Sequence, residues 1–397
     1  MAPDRRTAAR FAPRLPRARL LALPLLVLAA SCPGATPRPT EFAETISALS
    51  ETGGYFDTDN LISNERSYLH ALSDLRAAGT RGGVYLGVGP GQNFSYIAEI
   101  EPELAFIVDI RRDNVLQHLI YKALFEASED RVGFLARLTG RPIPRVTGGE
   151  SATIDSIVAA LDREPATSAS AQEARSAIAR AIPGFGLALE PGDLETIARF
   201  HDEFIRFGLD LRFRSHGRAP QFYYPTLREL VLEVDREGRR ASYLSTEERY
   251  RRVRRLQLED RVLPVVADLA GDTGLKAIGA LLEERGLRVS AFYTSNVEFY
   301  LYGDRTFPRF IENLRALPLA EDAVLIKAFF RGFQGSHPRQ VTGYYSTQLV
   351  QEARVLLEGW DSGEYRSYWD IVTRGLVMPA ASDPGAARDP APASANR

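Results

Sequence analysis

Short, continuous apolar runs recur along the chain and alternate with amphipathic segments. Runs of this length, bounded by glycine or polar residues, are typical of strands that are buried on both faces of a sheet. Apolar residues at helical spacing follow the second run, for example Val115, Leu116, Leu119 and Ile120. Strands that alternate with helices predict an α/β fold with a mostly parallel, Rossmann-like sheet and helices on both faces. The five predicted strands cover residues 84–88, 105–109, 262–267, 287–293 and 323–327.

The segment between the second and third predicted strands has a different pattern. Residues 131–262 contain helical segments separated by proline and glycine, without further strand–helix repeats. We therefore expect a large helical insertion after the second strand of one Rossmann-like domain, residues 56–377. Residues 378–397 are rich in alanine, proline and aspartate, a composition that is typical of a disordered tail.

The N-terminus predicts export. Arginines precede an apolar run from Leu20 to Ala30, which indicates a secretory signal peptide, residues 1–32. The sequence Leu-Ala-Ala-Ser-Cys that ends at Cys32 resembles a bacterial lipobox, in which the cysteine becomes the lipidated first residue. An ordinary cleaved signal and an uncleaved membrane anchor are the alternatives. Residues 33–55 are expected to form a tether. The sequence therefore predicts a lipoprotein of the bacterial cell envelope that is anchored to the membrane by its lipid and faces the periplasm or the exterior.

Composition and charge make several kinds of partner improbable. The content of 45% hydrophobic and 25% charged residues is that of a globular protein, and the formal charge of −2 argues against a nucleic-acid partner. The histidines lack metal-site spacing, so no metal is expected. Cys32 is the single cysteine and has no disulfide partner. Acidic residues bracket the arginines between 249 and 255, which indicates a solvated helix face rather than a phosphate site.

Polar residues and glycines follow four of the predicted strands. Parallel strands deliver their carboxyl ends to one edge of a sheet, so we expect these residues to surround one cavity, with Asn60 and Asn64 as a roof. Glycines let a ligand approach the backbone closely, and a helix N-terminus offers free N–H groups. The residues expected to line the cavity are Gly87, Gly89, Asn93, Asp109, Asp268 and Asn296, and Gly91 and Glu298 are further candidate site residues.

This combination resembles the class I S-adenosylmethionine-dependent methyltransferases. In that family the glycine turn lies under the amino-acid part of the cofactor, the second-strand acid holds the ribose hydroxyls, and the third-strand acid lies near the adenine amine. The resemblance implies these roles for the glycine turn, Asp109 and Asp268, and it implies S-adenosylmethionine as the cofactor. Asn296 and Glu298 stand where such enzymes face their substrate. The motifs GVGPGQN, IVDIRR and SNVE also resemble those of an uncharacterised bacterial family.

Two features depart from the methyltransferase pattern. Arg111 and Arg112 follow Asp109 after a single intervening residue, Ile110, which indicates either an anionic ligand or an Asp109 that is paired with arginine. Export would also remove the protein from the cytosol, where S-adenosylmethionine is made. Three functions therefore remain open. They are an enzyme of the methyltransferase type, a non-catalytic envelope binding protein that keeps the fold without the chemistry, and an interaction protein that uses the helical insertion.

Overall fold

The computed structural model describes residues 40–378, with the exception of residues 218, 220, 333 and 334. These residues fall in one compact unit, Pro37–Arg397. The predicted signal peptide with Cys32 lies outside the described residues, as does the predicted tail apart from Met378. In the part of the chain that is described, no helix is long and apolar enough to cross a membrane.

One sheet of six strands organises the fold. Its strands are β1 (Val84–Val88), β2 (Leu104–Asp109), β3 (Val262–Val266), β4 (Val289–Ser295), β5 (Leu319–Phe330) and β6 (Ser346–Glu352). They lie in the order β3-β2-β1-β4-β5-β6, with all neighbours parallel except β6, which runs antiparallel to β5. Every residue of β1 and β3 is buried, which explains their continuous apolar runs. The prediction of a mostly parallel, Rossmann-like sheet is confirmed.

Helices flank this sheet. They are α1 (Glu41–Leu49), α2 (Ala71–Ala78), α3 (Asn93–Ile100), α4 (Arg112–Ala127), α5 (Arg131–Leu138), α6 (Ile154–Asp162), α7 (Ser168–Ala181), α8 (Asp193–Phe207), α9 (Leu227–Val231), α10 (Glu247–Leu258), α11 (Gly274–Glu284), α12 (Val297–Gly303), α13 (Phe307–Arg315), α14 (Ala353–Asp361) and α15 (Tyr368–Thr373). Short 3-10 helices occur at Arg66–His70, Gly149–Ser151, Ile182–Phe185 and Gly208–Asp210. The helices α5 to α10 form the insertion after β2, and side chains of N-cap threonines cap α6, α7, α9 and α10.

The sixth strand was not predicted from the sequence. β6 has no continuous apolar run, because it contains the buried polar residues Thr347, Gln348 and Gln351. β6 pairs with the longer strand β5, with Leu325 opposite Gln351 for example. The backbone hydrogen bonds of this pairing hold the strand in the sheet, and the side-chain pattern does not predict them.

The predicted tether, residues 33–55, needs correction from Glu41 onward. Phe42, Ile46 and Leu49 lie on one face of α1 and are buried, because their spacing gives this helix an apolar side. The chain then crosses the carboxyl ends of the strands as an edge segment, which we define as residues 50–64. Its backbone N–H groups at Glu51 and Gly54 donate to the carbonyl oxygens of Val266 (2.9 Å) and Ile110 (2.7 Å).

Candidate functional site

A cavity of about 410 Å³ lies at the carboxyl ends of β1 to β4, beneath the edge segment. In the sheet register, Val88 pairs with Val108 and Asp109 pairs with Val266, so the strands end at a common level. Of the eight candidate residues from the sequence, four line the cavity: Gly89, Asp109, Asp268 and Asn296. Asn60 and Asn64 from the edge segment also line it, as expected for its roof.

The glycine turn contributes Gly89 alone to the cavity lining. Gly89 has a φ of +81°, a conformation that strains residues with a side chain. At Gly87 a Cβ atom would lie 2.0 Å from Asn93 Oδ1 and 2.5 Å from the Tyr85 hydroxyl, so this glycine leaves room for two side chains. Gly91 faces Tyr121 instead, at 3.4 Å from a built Cβ atom. Packing of neighbouring side chains therefore explains Gly87 without a ligand, whereas a Cβ atom at Gly91 would make an ordinary van der Waals contact.

The Asn93 side chain stabilises the glycine turn through hydrogen bonds. Its buried amide nitrogen donates to the carbonyl oxygens of Val88 (3.0 Å), Gly89 (3.3 Å) and Pro90 (2.7 Å), and its oxygen accepts from the Tyr85 hydroxyl (2.7 Å). These bonds leave it outside the cavity lining. The sequence placed Asn93 in contact with a cofactor, whereas in the structure it fixes the shape of the loop.

The carboxylate of Asp109 is engaged by Arg111. Asp109 Oδ1 accepts from the Arg111 backbone N–H (2.9 Å) and Nε (3.0 Å), and Oδ2 accepts from Nη2 (2.9 Å). Arg111 Nη1 also donates to the carbonyl oxygens of Thr58 (2.7 Å) and Asp59 (2.9 Å), which ties β2 to the edge segment. A carboxylate has about four acceptor positions, so three are used. Of the two sequence alternatives, the paired Asp109 is the one observed, and the cavity stays open beside it.

Asp268 and Asn296 are the predicted polar side chains that remain more available. Asp268 Oδ1 accepts from the Ala270 backbone N–H (2.9 Å), and no ion pair of Asp268 is found within the described residues. Its backbone is fixed by Glu51, whose Oε1 accepts from the Asp268 N–H (2.6 Å). Asn296 follows β4 and occupies the N-cap position of the short helix α12, where its side chain makes no capping hydrogen bond.

The position of Glu298 differs from the predicted one. Its side chain is buried away from the cavity lining, where it accepts from the Thr294 hydroxyl (3.0 Å) and pairs with Lys327 (2.9 Å). It lies two residues beyond Asn296 on a helix, and residues at this spacing point to different sides. Glu298 therefore belongs to a buried ion pair and does not face a ligand in the cavity.

Aromatic and acidic side chains complete the lining. Tyr223 and Tyr345 stack with ring centroids 3.6 Å apart and planes 6° apart, and Phe56 meets Tyr300 edge-on at 5.4 Å. Among the described lining residues Asp109 is paired with Arg111, and Asp268 and Asp304 add two further carboxylates, so the lining is acidic. The aromatic lining residues are Tyr55, Phe56, Phe213, Tyr223, Tyr224, Tyr300, Phe330 and Tyr345. Sequence reasoning missed these aromatic lining residues because they come from segments that are distant in the chain.

Comparison with known proteins gives a family. The family described as a domain of unknown function (DUF7790) matches residues 61–155 and 213–368, which is more than half of the chain. The chain belongs to the DUF7790 family. The matched segments contain all six strands of the sheet and the four predicted residues that line the cavity. The edge segment before Leu61 and residues 156–212 of the helical insertion lie outside the DUF7790 match.

Two further comparisons add little about this DUF7790 protein. Among solved structures, the rRNA methyltransferase AviRa from Streptomyces viridochromogenes is similar to this chain, with 14% sequence identity and a TM-score of 0.29. The alignment covers 78% of this chain and 98% of that one. None of the curated proteins matches the chain.

Proposed function

We propose that the cavity binds a cationic or neutral small molecule with a planar ring, and that S-adenosylmethionine is the ligand of this class for a methyltransferase-type activity. The acidic, aromatic lining at the carboxyl ends of parallel strands is the observation that carries the proposal. Ligands of open α/β sheets bind at this edge. Aromatic rings attract cations and stack on planar rings, and carboxylates favour positive charge. S-adenosylmethionine combines an adenine ring with a positively charged sulfonium.

The described residues offer specific contacts for such a ligand. The backbone at Gly89 allows close approach, Asp268 has an acceptor oxygen for the adenine amine, and Asn296 offers an amide to the substrate side. Asp109 can contribute a single further acceptor position, because Arg111 uses the other three. A ribose diol would therefore gain less from Asp109 than it does in the resembling methyltransferases.

The pairing of Asp109 with Arg111 also favours a second candidate function, a non-catalytic binding protein that retains the fold. The protein would bind a ring-bearing cation without transferring a group from it. This candidate agrees with the predicted export, since S-adenosylmethionine is held in the cytosol. The absence of S-adenosylmethionine binding, together with binding of another aromatic cation, would favour it.

We also propose that the protein is exported and anchored through a lipid on Cys32, so that the cavity faces the periplasm or the exterior. The lone cysteine behind a short apolar run motivates this proposal. Cys32→Ala should move the protein from the membrane fraction to the soluble fraction. Unchanged membrane binding of this variant would contradict lipid anchoring.

Calorimetry on the purified full chain tests the ligand. S-adenosylmethionine is expected to bind, and Asp268→Asn should weaken its binding about 10- to 150-fold, the range for a lost hydrogen bond to a charged group. Asp272→Asn is the matched control, because this aspartate is four positions away, outside the cavity lining and 85% exposed. Equal affinity in wild type and Asp268→Asn would remove Asp268 from the site. No binding of S-adenosylmethionine or S-adenosylhomocysteine would contradict the methyltransferase proposal.

A further inference from the structure

Glu65 is a fully buried carboxylate next to the cavity. It immediately precedes the 3-10 helix Arg66–His70 and has 0% exposed surface. Its carboxylate accepts hydrogen bonds from the Tyr293 hydroxyl (2.7 Å), the Gln348 amide (2.7 Å) and the Ser295 hydroxyl. All three donors are neutral, and within the described residues Glu65 has no ion-pair partner. A buried carboxylate without a nearby cation is costly to ionise, so it needs an explanation.

Two polar routes connect Glu65 with the cavity. Ser295 lines the cavity and donates directly to Glu65. Gln92 also lines the cavity, and its amide nitrogen lies 3.4 Å from the Tyr293 hydroxyl, which in turn donates to Glu65. Ser295 has a φ of +56°, a strained conformation for a residue with a side chain, at the tip of β4. The Ser295 hydroxyl thus links the cavity lining directly to the Glu65 carboxylate, and the Tyr293 hydroxyl links Gln92 to it.

The surroundings of Glu65 favour its neutral form. Burial raises the pKa of the Glu65 carboxyl, and the hydrogen bonds from Ser295, Tyr293 and Gln348 oppose this only in part. The titratable groups that sense its charge are tyrosines on β1, α3, β4 and α15. Burial raises the pKa of each of these hydroxyls, so they stay neutral and cannot compensate a carboxylate. They are Tyr85, Tyr96, Tyr293 and Tyr368.

We propose that Glu65 is the charge-selecting group of the cavity: a cationic ligand in contact with Ser295 causes Glu65 to release a proton, and the cavity therefore prefers a cation to its neutral analogue. This inference rests on the cationic ligand class proposed above. A positive charge beside a carboxyl group favours its ionised form, more strongly where little water is present. S-adenosylmethionine and S-adenosylhomocysteine differ in this charge and in one methyl group. The pair therefore isolates the effect.

Calorimetry of the full chain in two buffers of different ionisation enthalpy measures the proton. S-adenosylmethionine should release up to one proton on binding, whereas S-adenosylhomocysteine should release none. Each pKa unit by which the cation lowers the pKa of Glu65 corresponds to about tenfold tighter binding of the cation. Glu65→Gln should abolish the proton release and most of the preference. Glu247→Gln is the matched control, because Glu247 is also buried with a raised pKa, caused by desolvation, but lies on α10 outside the cavity lining.

The outcomes separate this inference from the proposed function. If S-adenosylmethionine binds without proton release, or if the release persists in Glu65→Gln, Glu65 is not the charge-selecting group. If neither ligand binds, the proposed function fails, and infrared spectroscopy of the ligand-free chain decides about Glu65. A carboxylic-acid C=O band should disappear in Glu65→Gln, persist in Glu247→Gln and shrink with tetramethylammonium chloride but not with sodium chloride. A missing or unresponsive band overturns the inference.

Discussion

Two buried glutamates lie on either side of the end of β4, and their surroundings differ. Thr294 and Ser295 are adjacent on this strand, and adjacent strand residues point to opposite faces of the sheet. Thr294 donates to Glu298, and Ser295 donates to Glu65. Glu298 is paired with Lys327 at 2.9 Å, whereas Glu65 has neutral donors alone within the described chain.

The difference separates a structural carboxylate from a candidate functional one. The Glu298 charge is compensated by Lys327, and Glu298 is not among the residues that line the cavity. Glu65 has no such compensation and is hydrogen-bonded to a residue of the cavity. A ligand can supply the missing charge in the second case, but not in the first. Perturbed ionisable groups next to a cavity are the usual marks of a functional site.

The largest predicted effect is on the compensated pair. Lys327→Met removes the cation and leaves the Glu298 carboxylate buried without a compensating charge, so the free energy of unfolding should fall by about 3–5 kcal/mol. Urea denaturation measures this change. Lys276→Met, an exposed lysine on α11, should change stability little. A loss below about 1 kcal/mol in Lys327→Met would show that Glu298 tolerates isolation and would weaken the contrast with Glu65.

The second effect concerns pH and the uncompensated glutamate. The pKa of Glu65 is raised above 4.5 by burial, so the folded state holds this proton more tightly than the unfolded state. Its contribution to stability is complete below about pH 4.5 and is lost as the pH rises through the folded-state pKa. Glu65→Gln lacks this loss, because the amide can accept from Tyr293 and Gln348 and can donate to Ser295. Relative to the variant, wild type should lose about 1.4 kcal/mol for each unit of the shift.

Urea denaturation of both proteins between about pH 4 and 8 gives this difference curve. Four buried histidines affect stability in part of the same range, because burial lowers the pKa of His70, His118 and His201 to about 4 and also lowers that of His337. Their effect has the opposite sign. Stability is lost as the pH falls below about 6.5, when the unfolded chain takes up protons that the folded chain refuses. They are common to wild type and variant, so they cancel in the difference. A flat difference curve would contradict the raised pKa of Glu65.

Sequence reasoning located the sheet and part of the site for one physical reason. Buried parallel strands must be apolar throughout, so they are visible as runs, and their ends must meet at one edge. Gly89, Asp109, Asp268 and Asn296 follow from this rule and do line the cavity. β6 was not predicted because its buried side chains include glutamines, which are stabilised by hydrogen-bond partners rather than by an apolar environment.

The remaining site residues depend on contacts across long separations in the chain. Glu65 comes from a loop and meets Ser295 from β4 and Gln348 from β6, with no local pattern that announces the cluster. The choice between an anionic ligand and a paired Asp109 likewise required the side-chain geometry of Arg111. Periodicity predicts which face of an element is buried, but it does not say which polar group will meet which partner.

The smallest effect is expected at an exposed counterpart of the Lys327 pair. On α10, Arg252 contacts Glu101 (2.9 Å) and Glu248 (2.5 Å), and its side chain is 27% exposed. Surface pairs gain little because water screens them, so Arg252→Met should cost about 0.2–1 kcal/mol. The decisive comparison is between the salt dependences of the two stability losses, because added sodium chloride screens exposed charges and not buried ones. The loss in Arg252→Met should shrink in high salt, while the loss in Lys327→Met should persist. If both losses shrink to the same extent, water reaches the Glu298 pair, and burial does not distinguish the two glutamates beside the end of β4, Glu298 and Glu65.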